Sequence, residues 1–494
     1  MKKMILWKTL AVLSAIVVGV CLVTPSLAET ESELEAIEIY PPHSPPDDMT
    51  MMEQALHRRA IEAAIWAQPL MNYKAMYDSL HEVVGLKYNG DVAYHSTIQD
   101  WRRALPTPNN TTPYVFFFWD LRDGPVVLDI PPTEGEISLY GTMMDSWHRP
   151  IEEYGGRGID RGRGAKYFMV PPDYKGYVPV AGYQVFRQET YYGWTLMRPI
   201  IKDKSKETIK KAIELVKKVK VYSFAEADNP KPTRYIDVGG KDIDGIVKFD
   251  ASFYRHLHEI LELEYLEEKD LAMMGMLQAM GITKGQPYKT DKRRDAIFDD
   301  AAKTAHEYMV YLYHGAGLIP PFYEGKKWGS ILPPAFESHR FAFQYPSNLD
   351  YDRRGCLYYA IFSSIKHYGP GSFYLDVAQD KDNKWLDGGK NYRITVPADV
   401  PVKNFWALTA YDLKTAAFIR EMPSAGVSSI DKNLEVNKDG TVDLYMGPEP
   451  PKGKEGNWIP TAKDQQYYML FRFYGAENSV FTKKWQLNDV ELVK

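Results

Sequence analysis

A chain of 494 residues with 45% hydrophobic and 25% charged residues has an ordinary globular composition and is too long for one simple core, so two or three domains are expected. Its 60 Lys and Arg against 65 Asp and Glu leave a net charge of −5, and no basic stripe stands out that would track a phosphate backbone, which argues against a nucleic-acid partner. Of the two cysteines, Cys21 lies in an expected leader, so the mature chain keeps Cys356 alone and can form no internal disulfide.

The N-terminus carries the clearest targeting signal. Lys2, Lys3 and Lys8 precede an apolar run from Leu10 to Val23, and Ser26 and Ala28 follow in a small-x-small arrangement. This pattern predicts a signal peptide over 1–28, cleaved after Ala28, and a periplasmic or extracellular mature protein. The run is shorter than the roughly 18 residues a spanning helix needs, and no other long apolar run occurs, so no transmembrane span is expected in the mature chain.

Residues 29–50 contain "PPHSPPDD", Pro41 to Asp48, which cannot build a core and reads as a linker. From Met52 to about Val84, Leu56, Ala60, Ala63, Ala64, Ala67 and Met71 recur at helical spacing, with Pro69 expected to break or kink the run. Short β-rich segments follow to about Pro199, among them "YVFFFWDL", "ISLYGTMMD" and "TYYGWTLMRP", and complete a first unit over 51–200. The aromatic segment beginning at Tyr114 is apolar on both faces, which predicts a central strand buried on two sides. Residues 201–370 read as a helical subdomain: Ile209, Ile213 and Val216 share one face behind Ser205 as N-cap, and helices are expected over Ser252–Met280 and Arg293–His314. Residues 371–494 return to β segments, including "YRITVPADV" and "YYMLFRFYG", which suggests a second sandwich.

Several blocks resemble a known pair of families. "NNTTPYVFFFWDLRDGPVVLDIPP", "LYGTMMDSWHRPIEEYGGR" and "AKYFMVPPDYKG" resemble domain-of-unknown-function family 1254, while "DGGKNYRITVPADVPVKNFWALTAYD", "NKDGTVDLYMG", "GNWIP" and "LFRFYG" resemble family 1214. The resemblance implies a multidomain α+β fold with two jelly-roll-like antiparallel β-sandwich units and a helical subdomain between them. It implies no mechanism. The family usually places Asp in an Asn-Asp-Thr motif before the aromatic strand, where this chain has Asn110, Thr111 and Thr112.

No Gly-x-Ser-x-Gly elbow occurs, and Ser363 to Lys366 fits Ser-x-x-Lys without its companion motifs. Metal motifs are absent from the sequence: His256 and His258 would point apart on a helix, and "DKDNKWLDGG" lacks the Gly and Glu of an EF-hand loop. Cys356 sits in an apolar helical stretch and reads as a small buried residue. Two sets of polar residues remain. Asp145, His148, Arg149, Glu152, Arg157, Arg161 and Arg163 gather in a glycine-rich stretch, where Asp145 and His148 could act as an acid/base pair and the arginines could clamp an anion. Tyr392, Trp406, Tyr411, Asn457, Trp458 and Arg472 offer stacking faces and directed hydrogen bonds. Two functions fit: an exported envelope protein binding a small organic or carbohydrate ligand through aromatic and arginine residues, or a hydrolase-like enzyme acting on an anionic substrate. No cofactor is indicated, and homo-oligomerisation stays open.

Overall fold

Residues 37, 39–201, 203, 205–315, 319–331, 341–366 and 372–493 are described by a computed structural model. The expected leader with Cys21 and Ala28 lies outside the described residues. The long N-terminal helix α1 spans Met51–Val84. It starts at a reciprocal cap, in which Thr50 Oγ1 accepts from Glu53 N and Thr50 N donates to the Glu53 carboxylate. It stops at Gly85, whose φ of 63° suits the left-handed conformation that glycine tolerates.

Contrary to the expected break, α1 continues through Pro69. Pro69 has no N–H to give the Ile65 carbonyl. Helix α6, Tyr351–Ala360, packs closely against this turn of α1. Arg354 Nη2 donates to the Trp66 carbonyl at 2.8 Å, and Gly355 lies so close to Ile65 that an added Cβ would stand 2.5 Å from its carbonyl oxygen. Every residue from Ala63 to Tyr73 is buried, as a helix surrounded by protein requires.

The remaining helices among the described residues are α2, Lys206–Val216; α3, Ser252–Leu263; α4, Leu271–Ala279; α5, Lys292–His314; and the one-turn α7, Asn478–Phe481. Ser205 caps α2 as expected, accepting from Thr208 N at 3.2 Å. The single helix expected over Ser252–Met280 is instead two, because the chain turns at Glu264, whose carboxylate binds backbone amides of the first β unit. Helices α3 to α6 all contact α1.

The first β unit has a six-stranded sheet in the order Arg234–Asp237, Asp91–Tyr94, Val115–Asp120, Tyr192–Ile200, Ser138–Asp145, Pro150–Gly155. A four-stranded sheet, Lys220–Ser223, Val126–Ile130, Ala165–Val170, Gln184–Arg187, belongs to the same unit. The second unit has a five-stranded sheet, Gly329–Ser330, Ser372–Val377, Tyr467–Ala476, Val402–Asp412, Gly426–Ser428. Its companion is the sheet Trp458–Pro460, Val442–Gly447, Tyr392–Val396, Glu491–Leu492. Pairing is antiparallel within these sheets except at the edges, where Arg234–Asp237, Gln184–Arg187 and Trp458–Pro460 join in parallel after longer connections.

Strand alternation explains how the layers assemble. Val115, Phe117 and Trp119 enter the core of the first sandwich, whereas Phe116 and Phe118 face the helices with Trp194 and Tyr73. The aromatic strand is thus a wall between two cores, and each of its buried rings contributes about 2 kcal/mol. In the second unit Met469, Phe471 and Phe473 fill the sandwich while Tyr468 and Leu470 face the helical side. The molecule is a multidomain α+β structure, and its helical layer packs against the outer faces of both large sheets.

Candidate functional site

Where the outer faces of the two large sheets approach each other, alternation places an arginine on each. Arg198 lies opposite Tyr140 in the six-stranded sheet, on the same face as Leu196 and Trp194. Arg472 lies opposite Tyr374 on one side and Ala407 on the other, with Tyr474 two residues along its own strand and Tyr411 on the next. The Arg198 guanidinium sits 5.1 Å from the centre of the Tyr114 ring, and that of Arg472 sits 5.3 and 5.6 Å from those of Tyr411 and Tyr374. The loop before the aromatic strand stitches the two units together here. Tyr411 Oη donates to the Pro108 carbonyl at 2.8 Å, Thr111 Oγ1 lies 3.2 Å from Tyr474 Oη, and Thr107 N donates to the Ala416 carbonyl at 2.7 Å. Thr111 therefore lines this cluster without a charge.

The electrostatics of these two arginines are unusual. Arg472 is only 4% exposed, and the groups acting on it, after the burial that opposes its charge, are the phenols of Tyr411, Tyr474 and Tyr374. Arg198 is half-buried and set among Tyr114, Tyr374 and Tyr140, and its Nε is buried with no partner among the described residues. Tyr474 is pushed up to about 12 by burial, with Arg472 working against that rise. Burial raises Tyr411 further still. At neutral pH the phenols are therefore neutral, and among the described residues no carboxylate pairs with either guanidinium. Arg198 and Arg472 share Tyr374 as a neighbour, and an arrangement of arginines among neutral hydroxyls is chemically able to accept an anion, for which the planar forks of arginine suit a carboxylate or a sulfate best.

Arg149 shows the contrast. It is buried too, but meets Asp145 Oδ2 at 2.6 Å, Glu189 at 2.7 Å and Glu267 at 2.8 Å. Its charge is fully answered within the chain. Asp145 also accepts from the amides of Trp147 and Arg149, so its carboxylate is engaged by these donors, although burial raises its pKa. His148, at a φ of 60°, donates from Nδ1 to the Phe362 carbonyl at 2.5 Å, and burial pushes its pKa down to about 3. The Asp145 and His148 side chains are thus neighbours without a shared hydrogen bond. Glu152 pairs with Lys366 at 2.8 Å, which also occupies the lysine of the Ser-x-x-Lys match. Arg157, Arg161 and Arg163 are exposed along the glycine-rich turn, outside the cluster.

Of the second expected set, Tyr411 and Arg472 come together in the cluster and the rest serve the fold. Tyr392 is 1% exposed and its Oη accepts from Asp387 N. Trp406 stacks on Phe471, Asn457 bridges the backbone of Glu435 and Asp443, and Trp458 Nε1 donates to the Gly447 carbonyl. Arg198, Tyr114, Tyr374 and Tyr474 were not foreseen. A single arginine inside the apolar segment "TYYGWTLMRP" was the available signal for Arg198. Among the described residues no group of three or more His, Cys, Asp or Glu is arranged to hold a metal ion, and no helix is long and apolar enough to cross a membrane. Cys356 is buried, and burial raises its thiol pKa.

The family described as Protein of unknown function (DUF1254) matches residues 91–223, and Protein of unknown function (DUF1214) matches residues 371–478. Tyr114, Tyr140 and Arg198 fall within the first match, and Tyr374, Tyr411, Arg472 and Tyr474 within the second. The fold is similar to that of the VPA0106 protein from Vibrio parahaemolyticus, with a TM-score of 0.50 and 18% identity, covering 89% of this chain and 100% of that one. An uncharacterized protein from Burkholderia cenocepacia aligns with a TM-score of 0.39 and 13% identity, covering 90% and 95% of the two chains. No curated protein matches the chain.

Proposed function

We propose that this chain, in which a DUF1254 region precedes a DUF1214 region, is an exported envelope protein that binds a small organic or carbohydrate ligand bearing an acidic group. The observation that carries the reading is the pair Arg198 and Arg472, each contributed by one β unit and neither paired with a carboxylate among the described residues. An uncompensated buried charge is disfavoured by several kcal/mol, and a bound anion would remove that penalty. The tyrosine faces around the guanidiniums would pack on the body of the ligand. Export rests on Lys2, Lys3 and Lys8, the apolar run that follows, and the small residues Ser26 and Ala28. Hydrolysis by Asp145 and His148 has less support, because the carboxylate is engaged by Arg149 and the imidazole by Phe362.

The test is a thermal-shift screen of residues 29–494 against small carboxylates, sulfated sugars and neutral sugars. An acid present at one hundred times its dissociation constant should stabilise the protein by about 2.7 kcal/mol. The response should vanish in Arg472→Met and in Arg198→Met. Stabilisation by neutral sugars that survives both substitutions would refute the proposal.

A further inference from the structure

Residues 39–50, which the sequence presents as a proline-rich linker, lie against the helical layer. Ile39 is buried in the apolar cluster around α1, and Ile37, Tyr40 and Met49 pack on that cluster half-buried. Tyr40 Oη lies 2.7 Å from His306 Nδ1 on α5. Lys414 Nζ, from the turn after the strand Val402–Asp412, stands 3.9 Å from the centre of the Tyr40 ring. Before it enters α1, the segment therefore touches both α5 and the second β unit.

Its polar anchor is His43. Nδ1 stands 2.6 Å from Asp300 Oδ1, and Nε2 stands 3.1 Å from Glu307 Oε2. Asp300 is 4% exposed, and its other oxygen, Oδ2, lies 2.7 Å from Nε2 of His57 on α1, so the segment, α1 and α5 meet at one carboxylate. A neutral imidazole has one N–H and one lone pair, which would satisfy one of the two carboxylates and set a lone pair against the other. The imidazolium has two N–H groups and satisfies both. The surroundings favour the same sign. Asp300, Glu307 and the pair Asp299 and Lys303 come from α5, His57 from α1 and Lys414 from the second β unit, while Asp250, just before α3, acts with Asp299 and Glu307 on Tyr40. Carboxylates outnumber lysines in this set. Burial opposes the charge of His43, and the hydrogen bonds to Asp300 and Glu307 outweigh it, so its pKa stands above the usual imidazole value.

We propose that residues 39–50 are a pH-operated strap, docked on α1 and α5 while His43 is a cation between Asp300 and Glu307, and detached once His43 gives up its proton. The direction follows from linkage. A histidine whose pKa is raised on docking favours the docked state in full below about 6.5, and that contribution is lost as pH rises through the docked value. Detachment uncovers the seat of Ile39 on the helical layer and parts Tyr40 from Lys414.

A nitroxide label on Ser44→Cys in residues 29–494 reports the strap, because Ser44 is exposed and Cys356 is buried. The label should be immobilised at about pH 5.5 and mobile at about pH 9.5, with a one-proton midpoint above about 6.5, while near-ultraviolet circular dichroism shows the rest of the protein still folded. His43→Gln takes up no proton and should abolish the titration. Glu307→Gln keeps a hydrogen-bonding group beside Nε2 without its charge and should lower the midpoint toward about 6.5. Glu264, whose carboxyl titrates at about 7, remains in both variants, so a signal that came from it would survive them. A label equally mobile at both ends of the range, or a titration that persists in His43→Gln, would overturn the proposal.

Discussion

Replacing Arg472 by methionine puts the central argument at risk, because a binding arginine and a structural arginine respond in opposite ways. The guanidinium is 4% exposed and has no carboxylate partner among the described residues, so burial opposes it by several kcal/mol. What holds it in place is the faces of Tyr411 and Tyr374, each worth about 2 kcal/mol when desolvated. These terms nearly cancel. Methionine fills similar volume, needs no counter-charge and keeps favourable contacts between its sulfur and the same rings. In ligand-free protein Arg472→Met should therefore change stability by between zero and about +2 kcal/mol, while abolishing stabilisation by acids. Arg149→Met is the control, since it strands Asp145 and Glu267 without their partner and should lose about 3 to 5 kcal/mol. Urea denaturation of both variants, with and without an acid identified by the screen, measures the contrast. If Arg472→Met is as damaging as Arg149→Met and the acid response persists, the arginine is a strut and the reasoning fails.

Other predictions follow from the packing. Burial raises the Glu264 pKa to about 7, against the hydrogen bonds from Ser146, Tyr191, Tyr265 and Tyr192 that lower it. A carboxyl whose folded value stands above its unfolded one favours the native state while protonated. Stability should fall by roughly 3 kcal/mol as pH rises from 4.5 to 7, and Glu264→Gln should flatten that slope in pH-resolved denaturation. Gly355→Ala would bring a Cβ to 2.5 Å from the Ile65 carbonyl and should cost about 1 to 3 kcal/mol, so a neutral melting temperature would contradict the close α1 to α6 contact. Thr50→Ala removes one half of the cap of α1 and should cost about 1 kcal/mol by the same measurement.

What the sequence conveyed depended on how local the signal was. The aromatic strand was legible because a run apolar on both faces has no other use than burial on two sides, and Phe116 through Trp119 are all fully buried. Ser205 was legible because a cap acts within four residues. Pro69 misled because the helix around it is packed against Arg354 and Gly355, nearly three hundred positions away. The glycine-rich stretch gathered arginines in sequence, yet Arg149 satisfied its charge within the chain and Arg157 and Arg163 stayed at the surface. The cluster that does form unites Arg198 with Arg472, from segments whose proximity is created only when the two sheets meet. Tyr411 and Arg472 were named in advance among core residues that looked the same, since a tyrosine on one face of a strand and its neighbour on the other differ by a single step of register.

The helical layer's position between the two large sheets has a consequence for how the chain comes apart. Phe116 from the first family match and Tyr468 from the second belong to one continuous apolar cluster organised around α1. The boundaries visible in sequence are therefore not boundaries of cooperativity. Neither matched region closes its own outer face, so melting of one withdraws the surface on which the other rests, and the three layers should be lost in a single transition.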